Sequence, residues 1–383
     1  MKLDKKKWRK VEYGQVVDHI EINERDPEKR ANAKYVSVEH LKTLNLKIQG
    51  IAPEEKHTFS RTFKKGQILF AKRRAYQKKV AVADFDGICS PHLWALETNG
   101  ELLQVLLPFI MQREAFYEYV NANSAGTMST YLKWPALSKY KFHLPSLEEQ
   151  KSISSLLLTL EDLIVQTEDQ EKKIKKLRQK IIDDLIEESS FGNMIDEAKL
   201  RSVDFGEIVS NNTKAVKKPL EKGIKYAVGL DNITPNNLSI KSLIDIEQDG
   251  TNFSRYFTKG QLLFGARRAY LRQMVIAPVE GVCTANIMVF DTNDKTELMR
   301  EYLYLIVQSN SFVNYATATS VGSLFPNAKW NSLKNFKLKI PDFKTQNLII
   351  DTFEECNKLV KEIENQVVCL KKLKFSLLDK IFD

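Results

Sequence analysis

The chain has 383 residues, 43% hydrophobic and 28% charged, an ordinary globular composition that excludes wholesale disorder and is long enough for two domains of ~100–200 residues. Its 15 glycines and 11 prolines are too few for a collagen-like or low-complexity chain. The 58 lysines and arginines against 49 acidic residues, net +9, favour an anionic partner such as nucleic acid.

The first residues, Met1-Lys2-Leu3-Asp4-Lys5-Lys6-Lys7-Trp8, are basic but no apolar segment follows, so they do not read as a secretory signal. No apolar run approaches the ~20 residues that span a bilayer. The expectation is a soluble cytoplasmic protein without membrane association. Cys89, Cys283, Cys356 and Cys369 form no C-x-x-C pair and read as small buried apolar residues in a reducing compartment.

Along the first half, Gly66-Gln67 reads as a turn into an Ile68-Leu69-Phe70 strand. Val80-Ala81-Val82-Ala83 reads as the next strand, closed by Asp86-Gly87. Gly66 and Gly87 are taken as turn residues. Between the strands lies a basic run, Lys72-Arg73-Arg74-Ala75-Tyr76-Gln77-Lys78-Lys79, predicted to form a hairpin or strand edge. Leu102 to Tyr119 has helical spacing with few breakers. Ser124-Ala125-Gly126-Thr127-Met128-Ser129 and Lys133-Trp134 follow, then Pro145. Residues 148–188 contain no glycine or proline, and apolar positions recur at three and four: Ile153, Leu157, Leu160, Ile164, Ile174, Leu177, Ile181 and Leu185.

The second half repeats the first. Lys65-Gly66-Gln67-Ile68-Leu69-Phe70 returns as Lys259-Gly260-Gln261-Leu262-Leu263-Phe264, 194 residues later. The same offset carries Arg73-Arg74-Ala75-Tyr76 onto Arg267-Arg268-Ala269-Tyr270 and Gly87-Ile88-Cys89 onto Gly281-Val282-Cys283. Leu298 to Tyr315 again has helical spacing. Ser124 to Ser129 aligns with Ser320-Val321-Gly322-Ser323-Leu324-Phe325, and Lys133-Trp134 with Lys329-Trp330, at an offset of 196. That offset also maps the first apolar series into a second: Ile349, Phe353, Cys356, Val360, Ile363, Val367, Leu370, Leu373, Leu377 and Ile381.

The fold class is therefore α+β: two repeated α/β domains, 1–147 and 191–343, separated by two long helical segments, 148–190 and 344–383. A helix of ~40 residues is ~60 Å long and cannot bury a single narrow stripe alone. The two stripes are expected to pack together as an antiparallel coiled coil, holding two heads apart.

The sequence has no phosphate-binding G-x-x-x-x-G-K-[ST] loop, no dinucleotide-binding glycine motif and no H-E-x-x-H. His19, His40, His57, His92 and His143 are scattered without ligand spacing. The chain reads as non-enzymatic. For nucleic-acid contact, the candidates in the basic runs are Lys72, Arg73, Arg74, Tyr76 and Lys78, with Arg267, Arg268, Tyr270 and Arg272 in the repeat. Arginine offers a planar fork for guanine edges or phosphates, and tyrosine adds stacking. The plain alternative is a solvated hairpin tip. Gly126 and Thr127, with Gly322 and Ser323, suit a loop whose backbone N–H groups approach phosphate, or else a helix C-cap. Lys133 and Lys329 are possible phosphate contacts beside tryptophans that read as core.

The duplicated plan, each half ending in Leu144-Pro145-Ser146-Leu147-Glu148-Glu149-Gln150 or Ile340-Pro341-Asp342-Phe343-Lys344-Thr345-Gln346 before a long helix, resembles the specificity (S) subunit of type I restriction–modification systems. The second junction departs from the usual acidic pair before the glutamine. The resemblance implies two target-recognition domains, each reading half of a split sequence in double-stranded DNA, and a coiled coil that sets the spacer length and docks two methyltransferase (M) subunits. S-adenosylmethionine would belong to those subunits, and ATP and Mg to restriction (R) motor–nuclease subunits where these are present; no cofactor is implied for this chain. The likeness around the basic runs predicts half-sites that share bases, and the dissimilar stretches Ile20–Lys34 and Ser210–Lys225 could hold differing readout. Two other readings remain: a type IIB-like S subunit, and a coiled-coil adaptor that binds proteins and not DNA.

Overall fold

In the computed structural model, which describes residues 3–50, 58–126, 130–186, 200–235, 240–295 and 297–382, the strand Ile68–Ala71 is buried at every position. Both of its faces are covered. Ile68 and Phe70 pack with Trp94, Leu107 and Phe116, while Leu69 and Ala71 pack with Val36, Phe63 and Cys89. Successive side chains of a strand point to opposite faces, so one unbroken apolar run serves two cores. The strand sits inside an antiparallel sheet ordered Val17–Ile20, Leu93–Thr98, Ile68–Ala71, Val80–Val82. A second sheet, Tyr35–Val36, Gly87–Cys89, Arg61–Phe63, contributes to the core on one face.

The repeat builds the same architecture. Its main sheet runs Val209–Asn211, Ile287–Thr292, Leu262–Gly265, Met274–Ile276, and its second runs Ile244–Asp245, Tyr226–Val228, Gly281–Cys283, Arg255–Phe257. Gly87 and Gly281 are strand residues, not the turn residues expected. A Cβ on Gly87 would lie 2.6 Å from the Lys34 carbonyl oxygen, and one on Gly281 2.6 Å from that of Tyr226. Close strand approach, rather than a turn, requires glycine there. Gly66 and Gly260 have φ of 90° and 87° and do make turns.

The helices expected over Leu102–Tyr119 and Leu298–Tyr315 are each broken. In the first copy Leu107–Ile110 and Glu114–Ala122 are separated at Arg113, which is extended at ψ 147°. In the second, Arg300–Gln308 gives way to Asn310–Ala318 at Ser309, whose hydroxyl accepts from the Phe312 N–H at 3.2 Å. A serine N-cap restarts a helix inside an apolar pattern that reads as continuous.

The two long helices run Leu147–Ile186 and Phe343–Phe382. The chain divides into two compact units within them: Met1–Asp169 with Asn365–Asp383, and Gln170–Glu364. Each unit therefore holds one head, a stretch of the helix that follows it, and a stretch of the other helix. In the first unit Lys374 pairs with Glu161 at 2.8 Å and Lys371 with Glu168 at 2.7 Å, so the helix stretches run antiparallel. In the second unit Lys175 pairs with Glu364 at 2.6 Å and Arg178 bonds Asn357 at 3.2 Å, again antiparallel.

The apolar stripe follows expectation over Ile153, Leu157, Leu160 and Ile164, and over Ile349, Phe353, Val360 and Val367, all buried. It departs later. Leu177 and Leu373 are 54% and 47% exposed, and Ile182 and Ile186 in one helix and Leu378 and Phe382 in the other are buried beside the expected Ile381. Those last turns pack into head cores, with Phe353 and Tyr304 for Ile182 and Ile186, and with Trp8 and Ile153 for Leu378 and Phe382. Adjacent apolar residues (Ile181-Ile182, Leu377-Leu378) let the buried face turn toward the head.

Each head is pinned to its helix by a buried glutamine. The Gln150 amide donates to the carbonyls of Glu101 (2.9 Å) and Pro145 (3.0 Å) and accepts from the Leu103 N–H (2.8 Å). Gln346 makes the same set with Glu297 (2.8 Å), Pro341 (3.0 Å) and Met299 (3.0 Å).

Candidate nucleic-acid interface

The basic run is not a tight hairpin. Arg74 and Lys78, both left-handed at φ 53°, flank a single 3-10 turn, Ala75–Gln77; Arg268 and Arg272 flank Ala269–Leu271 in the same way. A left-handed non-glycine residue costs of order 1–3 kcal/mol and persists where its surroundings hold it. Here the anchor is the buried alanine of the turn, Ala75 at 1% and Ala269 at 2% exposure. With the alanine inward, Arg73, Arg74 and Tyr76 face solvent; in the repeat Tyr270 does so, while Arg267 and Arg268 are half-buried.

The glycine loop lies directly beside this turn. In the first copy the Arg74 N–H donates to the Thr130 carbonyl at 2.7 Å and the Leu132 N–H to the Lys72 carbonyl at 2.8 Å. In the second the Arg268 N–H donates to the Pro326 carbonyl at 2.8 Å and the Ala328 N–H to the Ala266 carbonyl at 2.9 Å. Each loop is closed on itself by reciprocal bonds, Ala125 with Tyr131 and Val321 with Asn327. Gly126 and Gly322 adopt φ of 99° and 102° and are exposed, as is Ser323. Thr127 falls outside the described residues. Lys133 and Lys329 are exposed just before the Trp134–Leu137 and Trp330–Leu333 helices, whose tryptophans pack against the head cores. Segments separate in sequence thus form one surface in each unit.

The surface is electrostatically crowded in the first unit. Lys72 lies over the Trp94 ring at 5.4 Å, and burial, then Arg61, lowers its pKa. His92 accepts from Arg73 Nη1 at 3.1 Å in its neutral form, and burial, then Arg73 and Lys72, hold its pKa below the ordinary histidine value. In the second unit His92 is replaced by Asn286, and an aromatic ring organises the arginines: Arg267 and Arg268 stand 4.3 and 4.9 Å from the centre of the Phe325 ring. Around it Val321 and Leu324 are 62% and 77% exposed.

Two expected contact residues face inward instead. Lys78 pairs with Glu114 and lies over Tyr117 at 5.4 Å, and Arg272 is half-buried, donating to the Gln308 carbonyl and Asn310 Oδ1. Each follows the 3-10 turn, on the side that meets the helix break, whereas Arg74 and Arg268 precede it. Neither His92 nor Phe325 recurs in the other copy, so the repeat does not mark them. Arg61 and Arg255, 194 apart, were a legible pair; they brace the sheet by donating to the Leu93 (3.2 Å) and Ile287 (2.7 Å) carbonyls.

Cys89 and Cys283 are buried in strands, which pushes each thiol up to about 12 and leaves it an apolar packing group. Cys369 is exposed, contrary to expectation, because it lies on the outer face of the C-terminal helix. Among the described residues no His/Cys/Asp/Glu group could hold a metal ion, and no helix is long and apolar enough to cross a membrane.

The type I restriction modification DNA specificity domain, as a family model, matches residues 5–176 and again 197–368. The type I restriction enzyme EcoDI specificity subunit of Escherichia coli is 23% identical over 142 residues, 36% of this chain and 31% of its own length. The MjaIX specificity subunit of Methanocaldococcus jannaschii is 26% identical over 190 residues, 47% of this chain and 42% of its own. The chain thus spans less than half the length of these curated relatives. In fold it is similar to a chain from a study of complex assembly and conformational transition of the type I R-M system (TM-score 0.62, 18% identity, covering 99% of this chain and 98% of that one). It is also similar to the type I restriction–modification S subunit from M. genitalium (TM-score 0.57, 15% identity, covering 100% and 98%). Matched twice over most of its length, on a fold whose two halves repeat, the chain belongs to the type I restriction modification DNA specificity domain family.

Proposed function

We propose that the chain is the DNA-recognition subunit of a type I restriction–modification complex, and that each unit reads one half of a bipartite target through the surface built by its basic turn and glycine loop. The observation that carries this reading is the recurrence of that composite surface in both units, with Arg73-Arg74-Tyr76 and Arg267-Arg268-Tyr270 on the same backbone. Phosphate contacts would supply affinity and register, and guanidinium or aromatic contacts to base edges would supply sequence. Lys78 and Arg272 act as positioning residues, holding the turn against the helix break.

Two weak readers on one chain gain avidity from effective concentration, and a fixed separation becomes a fixed spacer between half-sites. In this reading the paired long helices set that spacer and offer their outer faces to two methyltransferase subunits, which carry S-adenosylmethionine and flip the target adenine. Motor–nuclease subunits, with ATP and Mg, would complete a restriction complex. The chain itself contributes recognition and no catalytic group.

The test is a methylome. The chain is co-expressed with the methyltransferase encoded beside it, and N6-methyladenine is mapped with and without the chain. The expected result is a split motif with a fixed gap that appears only with the chain. An assembled, cofactor-loaded complex that shows no chain-dependent methylation would favour a protein-binding adaptor instead.

A further inference from the structure

The two units differ in how they balance charge where helix meets head. In the first, Lys371, Lys374 and Lys78 are each matched by a carboxylate, from Glu168, Glu161 and Glu114 respectively. The repeat conserves one of these pairs: Lys175 with Glu364. In the other two the cation survives as arginine and the acid becomes an amide. Lys374 and Glu161 correspond to Arg178 and Asn357, and Lys78 and Glu114 to Arg272 and Asn310.

The two arginines line a common cavity of about 330 Å³ in the second unit, together with Lys176, Tyr304 and Gln308. Arg178 donates from Nη1 to Asn357 Oδ1 at 3.2 Å, and its Nε is buried without an acceptor. Gln308 is 7% exposed, and its side-chain nitrogen faces the Tyr304 hydroxyl and makes no other hydrogen bond. Asp183 is the acid near Arg272, but it is engaged by the Asn310 N–H at 2.7 Å and the Gln179 amide at 3.1 Å. Half-buried guanidinium groups whose direct hydrogen-bond partners are amides, with one already engaged carboxylate nearby, are left short of negative charge.

We propose that this cavity of the second unit is an oxyanion site that takes a phosphate-class dianion, held by Arg178, Arg272, Lys176 and the Gln308 amide. The ligand replaces, from outside the chain, the charge that Glu161 and Glu114 supply from within in the first unit. Phosphate carries about −1.5 to −2 near pH 7 and offers tetrahedral oxygens to several donors at once. A carboxylate presents the same kind of oxygen with a single charge, so the two sources can be told apart. The inference does not depend on DNA recognition.

The test uses the full chain. Its melting temperature is followed against inorganic phosphate at an ionic strength held constant with chloride, and against acetate in parallel. A saturating rise with phosphate is expected. Arg178→Met should weaken the apparent affinity at least tenfold. Asn310→Glu combined with Asn357→Glu, which copies the first unit's pattern, should melt no lower than the parent without phosphate and lose the response to it. The 31P line width of phosphate, broadened by the parent and not by the double variant, gives a readout independent of melting. A parent that responds to phosphate no more than to chloride would overturn the proposal, as would a double variant that responds like the parent. A response to acetate at least as strong as that to phosphate would overturn the phosphate assignment and point to a carboxylate side chain.

Discussion

The two basic surfaces share a backbone and differ in what stiffens them. In the first unit Arg73 leans on a neutral His92 and Lys72 on Trp94; in the second, Arg267 and Arg268 stand over Phe325. The flank differs in kind as well, a lysine–glutamate pair against an arginine held by a carbonyl and an amide. A duplicated fold can therefore keep its turn geometry, set by a buried alanine and two left-handed residues, while the side chains that orient its arginines diverge. On the proposed reading, specificity can change without rebuilding the scaffold.

The two units diverge most in charge at the helix contacts. Lys374→Met strands Glu161, a carboxylate only 17% exposed, and should cost about 3–5 kcal/mol in urea unfolding. Arg178→Met leaves only a neutral asparagine and should cost about 0.5–1.5 kcal/mol without added phosphate. Equal costs would mean that the two contacts are not electrostatically distinct. Charge reversal at Arg73 and Arg74, or at Arg267 and Arg268, should weaken DNA binding by about 1–3 kcal/mol per arginine and flatten its salt dependence. Each pair should relax one half-site only, which methylome mapping of the variants would read. Gln150→Leu and Gln346→Leu each leave a backbone N–H and two carbonyls without their partner, and should destabilise by similar amounts, about 1–3 kcal/mol. Unequal losses would show that one junction is held by more than its glutamine.

The smallest effect is on pH. Burial, the first cause for both, lowers the pKa of His19 and of His92, so the unfolded chain binds more protons than the folded one as pH falls below the ordinary histidine value of 6.5. Stability from these groups is present above that value and declines on acidification. All five histidines lie in the first copy, so hydrogen exchange between pH 7.5 and 5.5 should loosen Val17–Ile20 and Leu93–Thr98 before Val209–Asn211 and Ile287–Thr292.

The duplication made most of the architecture legible. Strands such as Ile68–Ala71, the junction glutamines and the two long helices all follow from patterns that recur at a fixed offset. What the pattern hid were choices between neighbours of similar polarity. Ile181 and Ile182 are equally apolar, and only the curvature of the packing decides that Ile182 is buried. Ser309 looks harmless within a helical run, yet its hydroxyl ends one helix and starts another. At the site, Arg73 and Arg272 look alike as letters. Their places before and after the 3-10 turn separate them into an exposed side chain and a half-buried brace, and that information lies in backbone geometry. Phe325 was missed because its value comes from two guanidinium groups that sit far from it in sequence.

The division of the units inside the long helices has a consequence for synthesis. The first head leaves the ribosome early, but its core includes Leu378, Ile381 and Phe382, which are translated after the whole of the second unit. The core of the second unit, Gln170–Glu364, is drawn from Ile182 to Phe353, all within that unit. Co-translational folding must then finish in reverse order of appearance, and a chain cut short before Asn365 would keep a complete second head beside a first one with Trp8, Ile153 and Leu157 partly uncovered. Such a product would expose apolar core surface in its first head, a patch that the whole chain covers with its own last turns.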